Sequence, residues 1–218
     1  MVTTLERNLA DTDVYTAEFG IVPVPTPSET ETRKAFQALM WALSYPGRIF
    51  QLPPMSLSPL RPDMPQPLQP FVTIAHTLLD LEVRYFTPIA ALDQLLTHTS
   101  ARAVNAAKAD YHFYPYVNFL DDEDHLEFVE QAKTGDMLYP DQSATLVIAC
   151  RLNGAGTDGQ RLRLTGPGIQ TVNELTVAGI PSHFWTLRAE MIHYPLGVDL
   201  ILVDDQQVAG LPRTTVLA

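Results

Sequence analysis

The chain has 218 residues, 25 acidic against 14 basic side chains (net charge −11), 46% hydrophobic residues and a single cysteine. That acidity argues against nucleic acid or an anionic membrane as the main partner, and lone Cys150 excludes a disulfide framework or a cysteine-rich zinc module. Area scaling allows one core burying about 70% of the unfolded surface. No apolar run nears the roughly 20 residues of a membrane helix. With no signal-peptide pattern at the N-terminus, a soluble cytoplasmic protein is expected.

Residues 1–27 show no sustained period and end in Pro23, Pro25 and Pro27, so an extended N-terminal arm is expected, followed by a single domain over residues 28–218. Ser28-x-x-Glu31 has the form of a capping box and predicts a helix start. Phe36, Leu39, Met40 and Leu43 recur at the spacing of one buried helical stripe. Pro46 and Gly47 end that helix. The seven prolines from Pro53 to Pro70 exclude a long helix or central strand and predict a stiff surface loop. A short helix over residues 71–80, a strand over 81–86 and a helix over 88–97 follow. Residues 111–119 read as a strand with Pro115 at a bulge or an edge. Asp121, Asp122, Glu123 and Asp124 suit the first turn of a helix.

The second half is more regular. Residues 145–150 are a buried strand by composition. The glycine-rich run 153–159 is a turn, with residues 161–165 expected to pair back on the strand before it. Gly166, Pro167, Gly168 and Ile169 suit a type II turn. A helix capped by Ser182 over 182–192, a strand over 198–203 and a short extended segment over 211–216 complete the chain. Hairpin signals lie among alternating helices and strands. An α/β fold is expected, with a mixed sheet between helices in an α/β/α sandwich.

Chemical motifs are sparse. Gly154-x-Gly156-x-x-Gly159 matches a dinucleotide fingerprint, but that mechanism needs a helix N-terminus after the glycines, and here a period-2 strand follows. The six histidines lack metal-ligand spacing, and the acidic run lacks the spacers of a calcium loop. No metal site is expected. No Gly-x-Ser-x-Gly elbow is present, and a cysteine in a buried strand is a poor nucleophile. Lys34, Lys108 and Lys133 stand outside any glycine-rich phosphate cradle. Two basic points remain. Arg161 and Arg163 share one strand face, and Arg213 precedes the hydroxyls of Thr214 and Thr215. Forked donors beside hydroxyls suit a phosphate or carboxylate, although pairing with one of the many carboxylates is the commoner fate of an arginine.

Four segments carry a family resemblance: residues 36–47 ending in Ser44-Tyr45-Pro46-Gly47; Leu162-Arg163-Leu164-Thr165-Gly166-Pro167-Gly168-Ile169; residues 194–202 beginning Tyr194-Pro195-Leu196-Gly197-Val198-Asp199; and Leu211-Pro212-Arg213-Thr214-Thr215. In this order they resemble the H subunit of the bacterial carbon–phosphorus lyase core complex, which degrades organic phosphonates. The resemblance implies a fold similar to pyridoxal-phosphate (PLP)-dependent transferases but without the cofactor, so no cofactor is expected. It implies homodimers when isolated and assembly with the G, I and J subunits. It also implies support, with partner subunits, for making ribose 1-phosphonate 5-triphosphate from ATP and a phosphonate. No catalytic residue carries over, and whether the chain is itself an enzyme stays open.

On this reading Arg163, Thr165, Arg213, Thr214 and Thr215 are candidates for anion or partner contact. Pro46, Gly47, Gly166, Gly168 and Gly197 belong to structural turns. Two alternatives stand beside it: a lone enzyme holding a small phosphorylated substrate in a sheet-end crevice, and a ligand-free interaction scaffold.

Overall fold

The computed structural model describes residues 14–17, 20–23, 27–54, 65–153 and 159–217. Within the expected arm, β1 (Val14–Ala17) and β2 (Gly20–Pro23) pair antiparallel. Helix α1 (Pro27–Ser44) starts with Pro27, whose missing N–H costs nothing in a first turn. Then come β3 (Ile49–Gln51), α2 (Gln69–Leu78), β4 (Arg84–Phe86), α3 (Ala90–Leu96), β5 (Arg102–Ala103), β6 (Tyr111–Tyr114) and α4 (Glu123–Glu130). The last part holds β7 (Thr145–Ala149), β8 (Arg151–Leu152), β9 (Gln160–Thr165), β10 (Asn173–Ala178), α5 (Ser182–Met191), β11 (Asp199–Asp204), β12 (Gln207–Leu211) and β13 (Val216–Leu217).

Seven strands form the central sheet in the order β3-β12-β11-β7-β6-β4-β5. The pairs from β11 to β5 are parallel, and β12 runs against both of its neighbours, so the sheet is mixed as expected. Its central strands β7 and β11 are buried on both faces. In β7, Leu146 and Ile148 face one core while Val147 and Ala149 face the other; in β11, Leu200 and Leu202 oppose Ile201 and Val203. Each such fully buried branched side chain contributes about 1.5–3 kcal/mol. Helices α1, α2 and α3 cover one face. Helices α4 and α5 lie on the other face, which they share with a second, four-stranded antiparallel sheet, β13-β9-β10-β8.

That second sheet corrects a pairing. Residues 161–165 do not fold back on β7; β9 pairs with β10 across the turn at Gly166–Ile169, and β8 leaves the end of β7 to join β10. The turn itself is as expected, with the Ile169 amide donating to the Gly166 carbonyl at 3.1 Å and Gly168 at φ 80°.

The buried stripe of α1 differs from the one the spacing predicts. Ala35, Ala38, Leu39 and Ala42 are buried, whereas Phe36 and Met40 are 51% and 44% exposed. The reason is proximity. A Cβ on Gly210 of β12 would sit 2.6 Å from the Ala42 carbonyl, so the helix lies directly on the sheet backbone and only small side chains fit between them. Three local readings also change. Pro115 ends a central strand instead of marking an edge. Ser182 is the first residue of α5 without a side-chain cap. Residues 212–215 make a turn, with the Thr215 amide donating to the Pro212 carbonyl at 2.9 Å. Asp122 does cap α4, accepting from the Asp124 amide at 3.1 Å. Much of the proline-rich segment, and Gly154 and Gly156 of the glycine-rich run, lie outside the described residues.

Candidate functional site

The four segments singled out in the sequence meet in space. Gly168 lies so close to α1 that an added Cβ would fall 2.3 Å from the Ser44 carbonyl, and Asn173 Nδ2 donates to the Pro46 carbonyl at 2.7 Å. Gly166 faces the Thr214 carbonyl in the same way, at 2.6 Å. Thr165 is paired with Val216 across β9 and β13. Gly47, Gly166, Gly168 and Gly197 all take positive φ, as turn residues would.

Beside this junction is an open cleft of about 650 Å³ between one face of α5, the start of β9 and the C-terminal segment. Arg161, Arg188 and Arg213 line it, with Trp185 and Thr215; among its described lining residues there is no Asp or Glu. In a chain of net charge −11 that is a local reversal of sign.

The three arginines are not equivalent. Arg213 is fully engaged. Its backbone N–H and Nε donate to Asp199 Oδ1 at 2.7 and 3.2 Å, its Nη2 donates to Oδ2 at 2.6 Å, and its Nη1 donates to the Pro140 carbonyl. Arg161 is exposed and paired with Glu174. Arg188 is different. Only 2% of it is exposed, and its Nη2 donates to the Pro212 carbonyl at 2.9 Å, while among the described residues no protein group accepts from its Nε–H. Burial pushes its pKa down to about 10, partly offset by the charge of Asp199, so it remains a cation at neutral pH. The carboxylate that supports it is already held by Arg213.

Two further buried groups on the same cleft also lack a protein partner among the described residues: Trp185 Nε1–H and the Thr215 hydroxyl. Trp185 and Arg188 are three apart on α5 and share a face. Thr215 reaches the Arg188 guanidinium through the Pro212 carbonyl, which accepts from both. A buried donor without an acceptor costs about 1–3 kcal/mol, more when charged, so three beside one cleft are unlike ordinary core packing.

Of the predicted contact residues, Arg213 and Thr215 line the cleft; Arg163, Thr165 and Thr214 do not. Arg163 is exposed on β9, where its cross-strand neighbour Glu174 is taken by Arg161. Arg188 and Trp185 are absent from the sequence-based candidates. The signal that finds them is a charged residue on an apolar stripe, Arg188 falling four residues after Phe184 and three after Trp185, both buried.

Other chemistry is accounted for locally. Lys34 and Lys108 are exposed, and Lys133 is held by Asp110 together with Arg84. Burial raises the pKa of the Cys150 thiol. Among the described residues no group of three His, Cys, Asp or Glu could hold a metal ion, and no helix is long and apolar enough to cross a membrane.

Comparison with known proteins agrees with the junction of motifs. The chain is 37% identical over 183 residues to the putative C-P lyase subunit protein HtxG of Stutzerimonas stutzeri, covering 83% of each chain. It is 29% identical over 189 residues to the alpha-D-ribose 1-methylphosphonate 5-triphosphate synthase subunit PhnH of Rhizobium meliloti (strain 1021), covering 86% of this chain and 90% of that one. The family model for the bacterial phosphonate metabolism protein (PhnH) matches residues 26–218. With that match over residues 26–218 and a relative above 30% identity, the chain belongs to the PhnH family of bacterial phosphonate metabolism proteins.

Proposed function

We propose that the chain is a subunit of a carbon–phosphorus lyase assembly in organic phosphonate catabolism. In this role it supports, with partner subunits, the formation of a ribose 1-phosphonate 5-triphosphate from ATP and a phosphonate. The observation that carries this reading is the family match across residues 26–218. The structure adds a surface suited to assembly. The outer face of α1 presents Phe36, Met40 and Trp41, followed by Tyr45, each 42–51% exposed. A grouped apolar face of this kind marks an interaction surface more often than scattered exposed residues do. The G, I and J subunits are the partners in this reading, with pairing of identical copies when they are absent. The layered α/β architecture is the feature that supports kinship with PLP-dependent transferases in this reading. Arg163, exposed on β9, and Thr165 beside β13 remain candidate partner contacts.

The test is co-expression with the G, I and J partners, pulling on a tag placed on this chain. Stoichiometric co-purification is expected, and a Phe36→Ser, Met40→Ser double variant should recover at least tenfold less partner while folding normally. Recovery of the wild-type chain alone, at partner concentrations well above micromolar, would reject the subunit role.

A further inference from the structure

We infer that the cleft between α5 and the C-terminal segment is a binding site for a phosphate- or phosphonate-type oxyanion, held by Arg188, Trp185 and Thr215. The residues come from two walls. Trp185 and Arg188 project from α5, and Thr215 follows the turn that the Arg188 guanidinium itself braces through Pro212. All three carry a buried polar group that no protein group among the described residues satisfies. Two of these groups can only donate, and a hydroxyl can, so the missing partner is an acceptor. Arg188 is a buried cation whose nearby acid is neutralised by Arg213, so the missing partner is an anion. Arg213 is a positioning residue here. It occupies Asp199 and so removes a competing carboxylate from Arg188. The choice of phosphoryl and phosphonyl groups as natural ligands rests on the phosphonate role proposed above; the demand for an oxyanion does not.

The chain has two tryptophans, Trp41 on α1 and Trp185 in the cleft, so an indole N–H spectrum of the ¹⁵N-labelled full chain reads the site directly. Inorganic phosphate, methylphosphonate and tripolyphosphate are titrated separately, with acetate and sodium chloride at matched ionic strength as controls. A saturable shift of the Trp185 resonance with at least one phosphorus oxyanion, and none of Trp41, is expected. The tightest of the three identifies the natural source as free phosphate, a phosphonate or a nucleotide polyphosphate. Arg188→Met should weaken that binding at least tenfold, and Thr215→Val, which keeps side-chain shape, about threefold or more. The Thr215 variant and the wild-type titration decide the matter if Arg188→Met fails to fold. No movement of Trp185, or equal movement with acetate or chloride, overturns the site. Stoichiometric co-purification alongside a silent Trp185 would remove the oxyanion site and leave the subunit role standing.

Discussion

The two faces of the central sheet are built to different standards. Under α1, α2 and α3 the buried polar groups are satisfied locally. Thr73 and Thr99 donate to the carbonyls of Gln69 and Leu96, and the Tyr85 hydroxyl donates to Asp93 at 2.9 Å. Small residues bring helix and strand into backbone contact. On the opposite face, under α4, α5 and the second sheet, the core takes in His112 and Arg188 and leaves donors on a cleft without protein partners among the described residues. Both faces bury similar aliphatic layers from the same strands. The difference teaches that the first face is optimised for packing, while the second gives up some stability to hold polar groups in place, the usual mark of a functional site.

The largest expected effect breaks the tight face. Gly210→Ala places a Cβ within 2.6 Å of α1 backbone that cannot move without dragging the helix off the sheet. A loss of about 3 kcal/mol is expected in denaturant unfolding. A loss below about 1 kcal/mol would mean that α1 is not seated as described.

The polar face is broken by acid. Burial pushes the His112 pKa from 6.5 down to about 4, so the folded state resists a proton that the unfolded chain accepts. The stability from this group is complete above pH 6.5 and is lost as pH falls toward 4, on the order of 3 kcal/mol in all. His112→Phe keeps an aromatic ring near Phe86 and should flatten this limb in unfolding curves taken between pH 7 and 4.5. Asp110 acts lower on the scale. Burial alone would raise its pKa, but hydrogen bonds from Arg84 and Lys133 outweigh it and hold the carboxyl below 3.8. Its contribution is lost only below that value, so the two groups separate by pH.

How much of this was legible depends on whether the signal was local. The α2 helix, the helix start at the acidic run 121–124, the type II turn at Gly166–Ile169 and the buried strand at 145–150 follow from composition, spacing and turn chemistry within a few residues. The stripe of α1 was misread because Phe36 and Met40 have the right period, and only the distant Gly210 shows that the contact is too close for them. The pairing of β9 was misread because a glycine-rich connection suggests a hairpin, whereas β8 had already left the main sheet. At the site, Arg213 and Thr215 were visible as donor chemistry. The engagement of Arg213 by Asp199 and Pro140 was not, since those residues lie 14 and 73 positions away.

The smallest expected effect on stability sharpens the comparison most. Arg188→Met replaces a buried cation with an unbranched apolar side chain of comparable length. At an ordinary buried position, cutting one partner from a satisfied pair costs about 3–5 kcal/mol. Here the nearest carboxylate keeps its bidentate pairing with Arg213, and the group left behind is the Pro212 carbonyl, which still accepts from the Thr215 amide. The gain from removing an uncompensated charge offsets most of the lost hydrogen bond, so a change within about 1 kcal/mol in either direction is expected in unfolding experiments. A loss of several kcal/mol would show that Arg188 holds the fold together. A near-neutral result would mean that folding does not need the charge, and that its place in the cleft answers to something outside the chain.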